Sequence, residues 1–398
     1  MKKRQSKLIL PIIVISQFCC TSLWFAGNGV IGDLATSFNL EHTALGHLTS
    51  AVQFGFIIGT LCFAMFTIAD RFSPSKVFFV CAVIGALFNL GTIYDGNTLL
   101  SLLSLRFLTG FFLAGIYPIG MKIAADYFEK GLGKSLGYLV GALVIGTALP
   151  HLLKNLTEEF PWKSVLIATS SLSVLGGLLM VSLVPDGPFR KAGKTVNLLA
   201  FSKVFKHLEF RSSAFGYFGH MWELYTFWAF VPVILSTYLE VHPQVEFDIS
   251  LWSFIIIAVG GLACVIGGYL SLILGTKKTA FGALSLSLIC CLLSPFMFLI
   301  DSEIAFLTFL MFWGMVVIAD SPLFSTMVAK SAPSEIIGTA LTIVNCIGFS
   351  ITIISIQLIT GLQALTDSNS IYIVLALGPL LGLIALKNKH DSKLNIAD

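Results

Sequence analysis

Long apolar runs alternate with short polar turns along the chain, and the runs are longer than a soluble helix requires. One such turn, "ADRFSPSKVFF" at residues 69–79, sets Asp70, Arg71, Ser75 and Lys76 between "ALGHLTSAVQFGFIIGTLCFAMFTIA" and "VFFVCAVIGALFNLG". A helix that crosses the hydrocarbon core of a bilayer needs about 20 mostly apolar residues. By that rule, spans are predicted near 8–34, 44–69, 77–94, 98–124, 135–153, 163–184, 212–238, 249–274, 279–299, 303–328, 336–361 and 371–387. The pattern therefore predicts an all-α membrane protein with twelve transmembrane helices. The one long connection, 185–211, divides it into a first bundle at 1–184 and a second at 212–398.

Composition agrees. Hydrophobic residues make up 56% of the 398 positions and charged ones 11%, with a mean hydropathy of +0.90. Soluble domains carry about 25% charged residues, so this chain has too little polar surface for water. A formal net charge of +3, with no basic stripe, gives no reason to expect nucleic acid as a partner. The eight cysteines all fall inside apolar runs, where they read as small buried hydrophobes and not as a disulfide framework or a metal site. The basic start "MKKRQSK" resembles that of a secretory leader. The apolar run after it is too long, and it reads as the first span.

Lysine and arginine set the orientation. Lys2, Lys3, Arg4, Lys7, Arg71, Lys76, Lys122, Arg190, Lys277, Lys278, Lys330 and Lys387 all fall on one side of the twelve-span arrangement, while the other keeps only Lys154 and Lys163. By the positive-inside rule both termini and the linker are cytoplasmic. The halves also echo each other: "AGIYPIGMKIAADYF" closes the fourth span and "IADSPLFSTMVAKSAP" the tenth, with Pro118 and Pro322 about half the chain apart. A duplicated six-span unit of this kind surrounds a central substrate site near the midplane.

At the turn quoted above, the chain resembles the major facilitator superfamily. That family's signature between spans two and three is G-x-x-x-D-R-x-G-R-[RK]. Here Asp70 and Arg71 are retained, Phe66 and Ser73 replace the glycines, and Pro74-Ser75 replace the basic pair, with Lys76 one place later. The resemblance implies two pseudo-symmetric six-helix bundles, alternating access, and a cytoplasmic gate carried by Asp70, Arg71 and Lys76. In the family this turn closes the cytoplasmic side through charge pairs and a helix-dipole contact. A purely topological role for Arg71 and Lys76 is the alternative. "LLSLRFLTGFFLAG" fits the family's fourth-span pattern at Arg106, Gly110 and Ala114. "GYLVGALVIGTALP" is similar to the antiporter pattern at Gly137 and Gly141, but Ala142 replaces its proline. Glycines four apart also mean close helix packing. Nitrate- and cyanate-type carriers are resembled around "SLWFAGNGVIGDL", although spans two and eight lack arginines that would clamp an oxyanion.

Ionisable groups at membrane depth are costly and are functional candidates by default. Arg106 stands about eight residues into the fourth span, roughly 12 Å along its axis. It needs a carboxylate, a cage of carbonyls or an anionic substrate, or it serves as a tether between helices. In "GYFGHMWELYTFWAF", His220 and Glu223 are three apart and share a helix face, an arrangement that can load and release a proton. Glu223 as a hydrogen-bonded packing residue is the rival reading. Asp33, near the end of span one, and Asp320, at the Asp320-Ser321-Pro322 kink, complete the substrate and proton-coupling set. Within the family, spans one, four, seven and ten line the cavity, and all five residues lie on those spans. His151 reads as an outer-interface residue. Gln17, Asn28, Gln53, Asn345 and Gln357 offer hydrogen bonds to substrate or to neighbouring helices. Tyr117, Trp222, Tyr225 and Trp228 either wall the cavity or face lipid.

No nucleotide-binding or hydrolase motif occurs, and neither paired aspartates nor a nucleophile with its base mark an intramembrane enzyme. The expectation is a secondary transporter of a small solute, with an anion among the candidates, in the cytoplasmic (inner) membrane, coupled to protons and working as an importer. Proton-driven efflux and a transport-dead sensor are the alternatives. The expected partners are the substrate, the coupling proton and the lipid bilayer, with no cofactor, no metal and a monomeric working unit.

Overall fold

A computed structural model describes residues 2–41, 43–128, 132–157, 159–190, 204–333, 336–366 and 368–387. Among these residues there is no strand. Among the described residues eleven helices are long and apolar enough to cross a membrane, and the apolar part of the first helix, Leu8–Thr21, precedes them. The spans follow the predicted order, and their ends show how the sequence sets them. Span two is Ala44–Met65, span three Pro74–Gly91, span five Leu132–Leu156, span six Lys163–Leu183 and span seven Leu208–Val241. Span eight is Ile249–Leu274, span nine Thr276–Met297 and span eleven Ile337–Leu365, and span twelve runs from a 3₁₀ segment at Asn369 through Leu377–Lys387.

Caps and prolines fix the starts. Pro74 opens span three, since its fixed φ suits a first turn whose N–H has no partner. Thr98 and Ser101 form a reciprocal capping box at the start of span four. Asp248 accepts the Leu251 N–H at 2.5 Å to start span eight, and Ser302 accepts that of Ala305 to start span ten. Span two stops at Met65, short of the predicted 69, because the chain reverses through Thr67 at φ 49°. A single turn, Ile68–Arg71, then carries the signature residues.

Three spans are broken where continuous helices were predicted. Span one is helical over Lys2–Thr21, irregular through residues 22–27, and resumes as Asn28–Val30 and Ile31–Phe38. Span four divides into Leu99–Leu113 and Tyr117–Tyr127, and span ten into Glu303–Ala319 and Ser321–Ser331. In spans four and ten a proline, Pro118 or Pro322, stands at the first turn of the second piece. The breaks occupy equivalent places in the two halves, as expected from the echo in sequence.

The halves meet along two seams. Span two packs on span eleven and span five on span eight. Gly141 and Gly261 approach so closely that a methyl added at Gly141 would lie 3.3 Å from the Gly261 carbonyl oxygen, whereas Gly137 faces open space. Of the paired glycines in span five, only Gly141 therefore serves packing. The eight cysteines are all free, and seven are buried. Of the predicted linker 185–211, residues 191–203 lie outside the described residues. Its start packs on the first half, where Tyr127 donates to the Pro185 carbonyl and Ser73 donates to Asp186 at 2.6 Å. Its end belongs to span seven, which begins at Leu208.

Candidate transport site

Arg106 answers to the break in span one. Where that helix unwinds, the Leu23 and Trp24 carbonyls lose the N–H groups that would follow them in a continuous helix, and lipid offers no water to replace them. Arg106 donates through Nη2 to the Trp24 oxygen at 2.5 Å and through Nη1 to the Leu23 oxygen at 3.3 Å. Its Nη1 also reaches Asn89 Oδ1 at 3.2 Å, and Asn89 Nδ2 donates to Leu166 O, Thr169 Oγ1 and Ser170 Oγ of span six. The guanidinium is 1% exposed. Of the readings left open by the sequence, the carbonyl cage is the one the geometry shows.

In the second half the ionisable groups pair differently from the sequence pattern. His220 Nδ1 stands 2.8 Å from Asp320 Oδ1, both residues being almost completely buried, so span seven is tied to the break in span ten. His220 Nε2 and Asp320 Oδ2 have no hydrogen-bond partner among the described residues. Glu223 turns toward spans nine and ten: Ser287 Oγ (2.5 Å), Trp313 Nε1 (2.6 Å) and Cys291 Sγ (3.2 Å) all donate to its Oε1. Three residues on a helix turn through about 300°, so the side chains at 220 and 223 diverge enough to meet different neighbours.

Between the halves, at the midpoints of their helices, lies an aromatic cluster. Trp24 stacks on Tyr225 and Phe349 with ring centroids 5.7 Å away in each case, and Phe56 packs 4.6 Å from Phe349 and 4.8 Å from Trp24. Trp228 and Phe25 join at Tyr225. All six side chains are buried. Trp24 Nε1, Trp228 Nε1 and both amide atoms of Gln53 have no partner among the described residues. Further along the same seam, Gln357 of span eleven donates to Gly46 O and Ser50 Oγ of span two, which closes the interface on the side away from the lysine-rich face. Tyr217 donates to Asn345 at 2.6 Å on the lysine-rich side of the cluster.

The remaining candidates stay apart from this centre. Asp33 pairs with Lys154 at 2.7 Å and Asp95 with Lys163, which accounts for both cations of the lysine-poor face. Asp70 pairs with Lys122 at 2.9 Å, and Lys122 lies 3.7 Å from Asp126. Arg190 donates to the carbonyls of Asp70 and Phe72 and pairs with Asp186. Among the described residues Arg71 reaches only back to Thr67 Oγ1, and Lys76 is exposed. In the signature turn, then, Asp70 is engaged while Lys76 points outward. His151, expected at an interface with water, is 2% exposed, and its Nε2 has no partner among the described residues. Trp222 donates to Val374 O and belongs to the packing of span twelve. Asn28 donates to Thr49, and Gln17 is buried without a partner among the described residues.

The Major Facilitator Superfamily model matches residues 13–356. The chain belongs to that superfamily. Membership places it among membrane transporters and not among enzymes. Solved members share its architecture: the nucleoside transporter NupG superposes with a TM-score of 0.72 at 15% identity, over 96% of this chain and 98% of its own. The proton:xylose symporter XylE gives 0.72 at 14% identity, over 96% and 95%. Among curated relatives, the 4-hydroxybenzoate transporter PcaK of Pseudomonas aeruginosa is 28% identical over 160 residues, 38% of this chain and 32% of its own length. The probable galactarate/D-glucarate transporter GudP of Escherichia coli is 23% identical over 185 residues, 44% and 41% respectively. The chain thus spans well under half the length of these two relatives.

Sequence reasoning missed Asn89, Ser287, Cys291, Trp313 and most of the aromatic cluster. Each is an ordinary packing residue by type, and only the three-dimensional approach of spans one, two, seven and eleven brings the rings together. The spacing of Thr49, Gln53, Phe56 and Thr60, which falls on one helix face, was the signal available for span two.

Proposed function

We propose that this chain is a secondary transporter that carries a small organic acid by alternating access and couples its import to protons through His220, Asp320 and Glu223. The observation that carries the reading is the buried contact of His220 with Asp320 across the break in span ten, with one ring nitrogen and one carboxylate oxygen left without partners among the described residues. Such a pair exchanges a proton when helix rearrangement changes its surroundings. Glu223, bonded to spans nine and ten, responds to the same rearrangement. Carboxylate-bearing solutes are supported by the named cargoes of the two curated relatives, and proton coupling by that of XylE. The Asp70–Lys122–Asp126 cluster with Arg190 is the gate of the lysine-rich face, which the positive-inside rule makes cytoplasmic. Domain boundaries at 185 and 211, a monomeric unit and residence in the inner membrane belong to the same reading.

The test uses proteoliposomes. Asp320→Asn and Glu223→Gln are expected to retain counterflow of a labelled organic acid, because exchange requires no net release of a proton. Both should fail at uphill accumulation driven by a pH gradient. Full accumulation by both variants would remove proton coupling from these residues, and the absence of counterflow in the native chain for any organic acid would remove the substrate class.

A further inference from the structure

The centre of the molecule is a box of six rings in which the Trp24 and Trp228 indole N–H groups have nothing to bond among the described residues, and Gln53, one turn before Phe56 on span two, is likewise without a partner among them. Trp24 lies at the break of span one, Phe56 near the middle of Ala44–Met65, Tyr225 and Trp228 near the middle of Leu208–Val241, and Phe349 near the middle of Ile337–Leu365. These positions place the box at the midplane and on both halves, where a rocking carrier holds its substrate. Trp24 meets Tyr225 and Phe349, and Phe56 meets Phe349, across the boundary between the halves. Any rocking motion that opens this seam separates these faces.

Burial makes the donors informative. Trp24, Trp228 and Gln53 are 1%, 0% and 0% exposed, and an unpaired donor at such a site is uncommon. An indole N–H can only donate, so whatever satisfies Trp24 and Trp228 must present acceptors. Arg106 does not clamp the occupant, since its guanidinium is bonded to Leu23 O, Trp24 O and Asn89. Its effect on the box is to pin the backbone of Trp24 and hence the position of that ring. The box thus combines flat apolar faces with a few donors. A polyhydroxylated acid carries donors along its whole carbon chain and has no flat face for these rings, whereas a planar ring with oxygens at its edge fits both features.

We propose that this box binds the transported solute and that the solute is a planar aromatic carboxylic acid. When the seam opens, its ring takes the place between Trp24 and the Tyr225–Phe349 pair that the facing rings fill in the closed arrangement. Its oxygens accept from the Trp24 and Trp228 indoles and from the Gln53 amide. Arg106 is a positioning residue for Trp24. The proposal rests on the organic-acid reading and narrows it.

The experiment measures dissociation constants of the purified full chain for three probes: benzoate, cyclohexanecarboxylate and D-glucarate. Thermal stabilisation and counterflow in proteoliposomes are read in parallel. Benzoate is expected to bind at least about tenfold more tightly than cyclohexanecarboxylate, which has the same charge and similar bulk but no aromatic face. Trp24→Phe keeps a ring and removes the donor, and is expected to weaken benzoate roughly 10- to 100-fold, as for the removal of a bond to a charged acceptor. Phe349→Leu is expected to reduce the preference for benzoate over cyclohexanecarboxylate. Equal binding of the two ring acids, or glucarate alone binding and exchanging, overturns the aromatic assignment while leaving an organic-acid carrier in place. No binding and no exchange with any probe overturns both. The comparison of ligands on the native chain does not depend on either variant folding.

Discussion

Replacing Arg106 by methionine distinguishes a structural cage from an anion clamp. Methionine keeps an unbranched apolar side chain on the same path and removes the three bonds to Leu23 O, Trp24 O and Asn89 Oδ1. Each buried acceptor left unpaired costs about 1–3 kcal/mol, which would total roughly 3–9 kcal/mol if the three were independent. Interhelical hydrogen bonds measured inside membranes average only about 0.6 kcal/mol, which sets a floor near 2 kcal/mol. Even the floor shifts an unfolding equilibrium by more than about tenfold. Arg106→Lys keeps the charge but not the planar fork that spans two carbonyls and an amide, so its destabilisation should fall between those of the native chain and Arg106→Met. The assay is thermal unfolding of the detergent-purified protein, followed by tryptophan fluorescence with no ligand present. The expected order of midpoints is native, then lysine, then methionine. A methionine variant that unfolds at the native temperature and loses only solute binding would refute the cage and make Arg106 a substrate contact.

Three further outcomes are expected. Asp70→Asn, which weakens the pair with Lys122, should slow transport without abolishing folding or solute binding, because a gate residue shifts the balance between conformations; an unchanged rate together with unchanged accessibility of both faces would leave Asp70 as a loop charge. Gly141→Leu should block transport while the protein still inserts, since a branched side chain cannot pass the Gly261 backbone, and native turnover in this variant would show that spans five and eight do not move against each other there. Cysteines introduced at positions 196 and 158 should be labelled from opposite sides of the membrane, 196 from the cytoplasm; labelling of both from one side would contradict the assigned orientation.

How much of this was legible in sequence depended on range. The helices were readable because each apolar run must by itself satisfy the length of the bilayer and its own backbone, which makes the signal local. The matching kinks of spans four and ten were visible for the same reason, through Pro118 and Pro322. The break in span one was not, although Ser22, Gly27, Asn28 and Gly29 weaken the helix there. Its stability depends on Arg106, 82 residues after Trp24. The partners of His220 and Glu223 were hidden by helix geometry. Residues three apart lie near one face, but the direction each takes is decided by the helices packed beside it. Asp320 reaches His220 only because span ten bends at that residue, and Trp313 reaches Glu223 from one helical stretch earlier. The aromatic box draws on four spans, and the spacing along span two marks only the face that Phe56 shares, not the rings that meet it.

Coupling between solute and proton is the claim on which the account turns, and solute-driven proton movement measures it without a mutation. Native chain is reconstituted in vesicles loaded with a pH-sensitive dye, with no pH gradient and no membrane potential, and an organic acid that undergoes counterflow is added outside. Empty vesicles correct for passive entry of the neutral acid. The account predicts acidification of the lumen at a rate that follows solute uptake. Solute uptake with no change in luminal pH beyond that of empty vesicles would contradict it.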